Sequence, residues 1–352
     1  MAATNGRSAR IRKLVTRRKA ELNFTELGFG AAPLGNLYRP MTEKEARVML
    51  EAVWAAGIRY FDTAPLYGLG LSETRLNGFL RPKPRDSFLI STKVGRILDL
   101  CKPEERSRQS GAGAFIEVPS RRERYDYSYD GVKRSLEFSF ERLGLDRIDI
   151  VYVHDPDIST HGSREAADIR IKEFMNGGYR ALDELRASGA VKAIGAGVND
   201  AEIAEDLARK GDFDVFLVAG RYTLLEQSAL TSFLPLCTEK GIGLVVGGPF
   251  NSGILATGVK ADAHFNYGPA PEEVKDRVRR IQQLCKTYKI KLPEAALHFP
   301  LGHPAVVSVI AGAQRASEVK RNAAMMAAKV PVGFWRALKA EKLLREDAPT
   351  PR

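Results

Sequence analysis

Cysteine is scarce in this chain: Cys101, Cys237 and Cys285 lie far apart in 352 residues, and no C-x-x-C pair occurs. That spacing excludes a disulfide framework and a zinc ribbon, and the three are expected as free, mostly buried thiols. Long apolar runs are missing as well. No window approaches the ~18 continuous apolar residues of a membrane span, and no apolar N-terminal run resembles a secretory signal. The expected setting is cytoplasmic, with no membrane partner. His298 and His303, two of only five histidines, straddle Pro300 without a nearby third ligand. They read as packing or helix-end residues, so no metal is expected. Gly68-x-Gly70 lacks the third glycine of a dinucleotide fingerprint, and no acidic residue follows in the Rossmann manner.

What is present begins with charge. The chain carries a formal net charge of +11, and residues 1–20 hold seven of the excess cations (Arg7, Arg10, Arg12, Lys13, Arg17, Arg18, Lys19) with no acidic residue. The remaining charge, about +4, is ordinary for a large domain and forms no stripe, so no nucleic-acid partner is expected. Residues 1–20 read as a disordered basic extension, with an organelle transit sequence or a polyanion-binding arm as alternatives. Residues 21–352 show no internal repeat, low-complexity tract or linker, and read as a single domain.

Within that domain, strands and helices alternate. Short apolar runs at 28–34, 58–62, 88–92, 148–154, 191–198, 215–219, 242–246 and 306–311 are each followed by a helix-compatible segment. Thr42 with Glu45 three residues on predicts a capping box, apolar residues recur at Ala46, Met49, Leu50, Val53 and Trp54, and Gly57 ends the helix. Further helices are predicted over 72–80 and 129–143. Runs that are continuously apolar indicate a parallel sheet covered by helices. Eight βα units predict an α/β fold, a (β/α)8 barrel whose active site lies where the strands end. The long connections at 95–128, 155–175 and 249–271 all follow strands and are expected at that same mouth, as flaps around a substrate.

Four strand-end residues carry chemistry. In Phe61-Asp62-Thr63-Ala64-Pro65-Leu66-Tyr67-Gly68, a strand hands over to a loop, placing Asp62 and Tyr67 at the mouth. Ser91-Thr92-Lys93-Val94-Gly95 and Val153-His154-Asp155-Pro156-Asp157 place Lys93 and His154 at the next two strand ends. Singly, a strand-end lysine is usually a structural ion pair and a strand-end histidine a hydrogen-bonded scaffold. Together the four suggest proton chemistry. Lys93, held by Asp62, is expected to lower the Tyr67 pKa, and His154 to orient a substrate oxygen.

This motif set resembles the aldo-keto reductase family over residues 21 to about 330. The resemblance implies Asp62, Tyr67, Lys93 and His154 as a catalytic tetrad acting with an extended NAD or NADP molecule. It also implies that Asn199 meets the nicotinamide carboxamide. Gly248, Pro249, Phe250, Asn251 and Gly253 would wrap the pyrophosphate, and Gly312, Gln314, Glu318 and Asn322 the adenosine end. Gly247 stands where the family often has a stacking aromatic. The interval of 61 residues from Lys93 to His154 is longer than is common there. The stretch around Pro249-Phe250-Asn251-Ser252-Gly253 is most similar to the aldose 1-dehydrogenase branch, which includes D-threo-aldose, L-fucose and pyridoxal 4-dehydrogenases. The activity so implied is NAD(P)-dependent oxidation of an aldose or pyridoxal to a lactone. A general NADPH-dependent carbonyl reductase or a non-catalytic cofactor-binding regulator are the alternatives. Glu318, where NADP-preferring members often have arginine, favours NAD; the partner expected is a small carbonyl or sugar, and the assembly a monomer or small homo-oligomer.

Overall fold

A computed structural model describes residues 9–107 and 112–352; residues 1–8 of the expected extension and 108–111 of the first long connection lie outside them. Among the described residues eight parallel strands close into a barrel: β1 Leu27–Gly30, β2 Tyr60–Asp62, β3 Leu89–Val94, β4 Ile150–His154, β5 Ala193–Val198, β6 Val215–Ala219, β7 Gly243–Gly247 and β8 Val306–Ala311. They pair in chain order, with β8 against β1, which is the (β/α)8 architecture that the alternation predicts. The strands are continuously apolar because both of their faces are covered. Ile150 and Tyr152 of β4 pack into the barrel interior, while Val151 and Val153 between them pack against the helices.

Helix Glu43–Ala55 starts at the predicted capping box, with the Thr42 side chain accepting from the Glu45 N–H and Glu45 accepting from Thr42. Helix Tyr129–Leu143 has the predicted limits, and helix Leu71–Leu80 begins one residue early. The first strand is shorter than expected. Residues 32–35 turn into a 3-10 helix instead, with Pro33 in its first turn removing the N–H that a continuing ladder would need.

Residues 9–20 are not the disordered extension that their charge suggested. Ile11–Val15 pairs antiparallel with Glu21–Thr25, and Leu14, Leu22 and Phe24 plug the floor of the barrel against Tyr60, Leu89 and Val215. Two of their basic neighbours tie the hairpin to the barrel: Arg12 meets Glu26 and the carbonyls of Leu301 and Val306, and the Arg17 backbone N–H donates to Asp214. At the opposite end the three long connections do gather. The first contains a hairpin, Arg96–Leu100 with Arg121–Tyr125; the second contains helix Arg164–Glu173; the third holds a two-residue ladder at His264–Phe265. Among the described residues no helix is long and apolar enough to cross a membrane. His298 and His303 are buried, with His298 Nε2 3.2 Å from the Met325 carbonyl.

Candidate active site

Strand period sets the site. Side chains two apart share a face, so Asp62 lies above Tyr60 on β2, Lys93 above Ser91 and Leu89 on β3, and His154 above Tyr152 and Ile150 on β4. In register Asp62 stands beside Ser91, and Lys93 beside Tyr152. The three therefore form the top layer of the barrel interior, all at most 4% exposed.

Lys93 is fully engaged. Its three N–H groups reach Asp62 Oδ2 at 2.7 Å, the Thr63 carbonyl at 2.9 Å and Tyr67 Oη at 3.1 Å. Asp62 is fixed from its other oxygen by Ser91 Oγ at 2.8 Å, which in turn meets Tyr60. Tyr67 comes from the turn after β2, and that turn depends on a contact between two glycines. A Cβ on Gly68, whose φ is +67°, would stand 2.5 Å from Gly35, and one on Gly35 would be as close to Gly68. The His154 ring lies 6.1 Å from the Tyr67 ring, edge to face. Its Nδ1 is buried without a hydrogen-bond partner, and its Nε2 stands 3.2 Å from Asp155 Oδ2.

Burial dominates the electrostatics here. It pushes the Tyr67 phenol above its ordinary range; the Lys93 charge opposes this, and Asp62 reinforces it. Lys93 does pull the Tyr67 pKa down, as expected, through its charge and its hydrogen bond, but burial is the larger effect and the net direction is upward. Burial also pulls His154 well below its ordinary value, with Arg96 and Lys93 adding to the effect, so the imidazole is neutral at physiological pH. The Asp155 carboxyl is pushed up to about 7 by burial, against the pull of Arg96.

Tyr67, Lys93 and His154 border a cavity of about 410 Å³. All three long connections contribute to its wall: Phe115, then Ser159 and Thr160, then Tyr267. Arg96 and Asp155 also line it; neither stood out in the sequence, since an arginine in an Arg-rich hairpin and an acid beside a histidine carry no spacing signal. Asn199 is here too, its Nδ2 donating to Asp155 and Asp157 at 3.2 Å each. A second cavity of about 630 Å³ adjoins the first, sharing Leu37, Tyr38, Ala219 and Tyr267. Gly248, Pro249, Phe250, Asn251, Gly253 and Gly312 line it, with Arg221 at the end of β6 as a residue sequence reasoning missed. Gln314, Glu318 and Asn322 lie beyond its wall. Gln314 donates to the Leu37 carbonyl, and Glu318 accepts from the Gln314 backbone N–H at 2.7 Å.

Comparison with known proteins agrees with this fold. The chain is 43% identical to a D-threo-aldose 1-dehydrogenase of a Pseudomonas species, covering 94% of this chain and 97% of that protein. It is 42% identical to a pyridoxal 4-dehydrogenase of Microbacterium luteolum, covering 92% and 95%. Among solved structures, an aldo-keto reductase of Bacillus halodurans in its holo form superposes with a TM-score of 0.72 at 25% identity, covering 96% of this chain and 97% of that one. The sequence model of the aldo/keto reductase family matches residues 26–340, and with a closed eight-stranded barrel beneath that match the chain belongs to this family of oxidoreductases.

Proposed function

We propose that this enzyme oxidises an aldose, in its cyclic hemiacetal form, to the lactone. The observation that carries the reading is the Lys93 ammonium, which divides its three N–H groups between Asp62, Thr63 and Tyr67 at the edge of a cavity that His154 also borders. Of the three groups that Lys93 meets, Tyr67 is the one that borders the cavity and carries a side-chain proton to exchange with it. It takes the proton of the hemiacetal hydroxyl as the C1 hydrogen leaves as hydride, and Lys93 stabilises the phenolate that does so. Neutral His154 donates to the reacting oxygen and fixes its direction. The names of the two relatives above 40% identity supply the substrate class: an aldose first, pyridoxal second.

Enzymes of this family use nicotinamide cofactors, and the larger cavity suits one. Asn251 Oδ1 at its wall and Gln314 Oε1 beyond it are buried without partners, and a Cβ on Gly253 would meet nothing within 4 Å, so backbone there is open to a ligand. Gly248, Asn251 and Gly253 would hold the pyrophosphate, Gly312, Gln314 and Asn322 the adenosine end, and Asn199 the carboxamide. When bound, the nicotinamide accepts the hydride or returns it. Glu318 favours NAD, because a carboxylate repels the 2′-phosphate of NADP and suits a ribose hydroxyl.

A panel of aldoses, pyridoxal and apolar aldehydes, followed by absorbance of the reduced cofactor with NAD and with NADP, tests the reading. Aldose oxidation with NAD is expected, and Glu318→Arg is expected to move the kcat/KM ratio toward NADP. Fast reduction of apolar aldehydes with no oxidation of any aldose or pyridoxal would make the enzyme a general carbonyl reductase.

A further inference from the structure

Beside His154 sits a carboxylate that the proton chemistry does not use. Asp155 follows β4 directly with φ +49°, a left-handed conformation that aspartate tolerates better than most residues. That turn returns its side chain to the cavity it lines together with Tyr67, Lys93 and His154. The carboxylate is held from two sides and has the imidazole beside it. Arg96 Nη2 donates to Oδ2 at 2.7 Å, Asn199 Nδ2 donates to Oδ1 at 3.2 Å, and His154 Nε2 stands 3.2 Å from Oδ2. Arg96 is itself anchored, donating to Glu123 and to Tyr125 Oη, with its guanidinium over the Tyr125 ring. Its side chain is 1% exposed and that of Asp155 13% exposed. A buried ion pair of this kind is costly to desolvate, and a hydrophobic pair would close the hairpin onto β4 as well. Both members of the pair line the cavity.

We propose that Asp155, positioned by Arg96, determines substrate specificity by accepting a hydrogen bond from the hydroxyl next to the reacting carbon–oxygen bond. The inference rests on the aldose reading above. A carboxylate offers about four acceptor positions, so this one has room for a further donor. The separation of 3.2 Å between His154 Nε2 and Asp155 Oδ2 is a hydrogen-bonding distance. Two neighbouring oxygens of a sugar are spaced comparably, so the reacting oxygen can lie on His154 while its neighbour donates to Asp155. Leu37, Leu66 and Phe115, which also line the cavity, carry no acceptor side chain. The substrates selected are α-hydroxylated: aldoses and their hemiacetals, ahead of simple aldehydes and 2-deoxy sugars.

The test crosses substrate with residue: an aldose and its 2-deoxy analogue, each with the native protein and Asp155→Asn, in steady-state oxidation and in calorimetric binding to the cofactor-loaded protein. The native protein, assayed at about pH 8.5 so that Asp155 is ionised, is expected to prefer the aldose by about 10–100-fold in kcat/KM, mostly through KM, as suits a hydrogen bond to a charged group. In Asp155→Asn that preference should shrink to within about threefold, and the calorimetric difference should shrink with it. Cofactor affinity and circular dichroism identify a variant that has lost its fold, and the aldose to 2-deoxy ratio of the native protein needs no variant at all. A native ratio near one, or a variant in which both substrates fall by the same factor, overturns the inference while the aldose reading stands. Absence of any aldose oxidation by the native protein overturns both.

Discussion

Two buried ion pairs at opposite ends of the barrel use the same ingredients to different ends. At the floor, Arg186 meets Asp214 at 2.7 Å, and the Asp214 carboxylate also accepts the backbone N–H groups of Ile194 and Arg17. Each of those partners belongs to the scaffold: a helix, a strand and the N-terminal hairpin. At the mouth, Lys93 meets Asp62 at the same 2.7 Å, but its third N–H goes to Tyr67, which borders a cavity. Burial and pairing are therefore shared by the structural pair and by the pair proposed to serve the reaction. What separates them is whether the network ends on a group that can still exchange a proton with something outside the fold.

Replacing the cation at each end breaks the comparison most sharply. Lys93→Met and Arg186→Met should each cost about 3–5 kcal/mol of stability, since each strands a buried carboxylate. Only Lys93→Met should also abolish turnover; Arg186→Met, measured per folded molecule, should stay within about threefold of native kcat. Equal losses of kcat would mean that the floor and the mouth are mechanically coupled. Tyr67→Phe isolates the reactive end of the network without touching the ion pair. Turnover is expected to fall at least ~100-fold, the usual loss for a missing general base, with cofactor affinity and thermal midpoint unchanged.

The pH profile weighs burial against Lys93 directly. As the proposed base Tyr67 must be ionised, and burial raises its pKa, so kcat/KM for oxidation should climb as pH rises, about tenfold per unit, toward an alkaline limit. A plateau already reached near neutrality would show that Lys93 outweighs burial once cofactor is bound. The smallest effect is expected on the exposed surface, away from both ion pairs. Thr42→Ala removes an exposed helix cap and should lower the thermal midpoint by roughly 1–3 °C, with kcat unchanged.

Alternation of apolar runs made the barrel legible, and the Thr42 and Glu45 pair fixed the start of its first helix, because both signals are local. The N-terminal hairpin was illegible for the opposite reason. Leu14, Leu22 and Phe24 are its only deeply buried apolar side chains, and they are scattered among arginines and lysines whose carboxylate and carbonyl partners lie elsewhere in the chain. Asp62, Tyr67, Lys93 and His154 could be picked out because strand ends meet at one mouth and residue type then limits the chemistry. Arg96 and Asp155 could not, since an ion pair spanning 59 residues leaves no trace in spacing.

The sequence by itself determined the architecture and the kinds of groups at the strand ends, since strand period and turn residues act over a few positions. Only the tertiary structure decided how those groups are charged and who holds them. Closing the barrel withdrew Tyr67 and His154 from water, raised one pKa and lowered the other, and set Asp155 beside the imidazole. Desolvation depends on everything packed around a group, and that is settled when the last strand closes against the first.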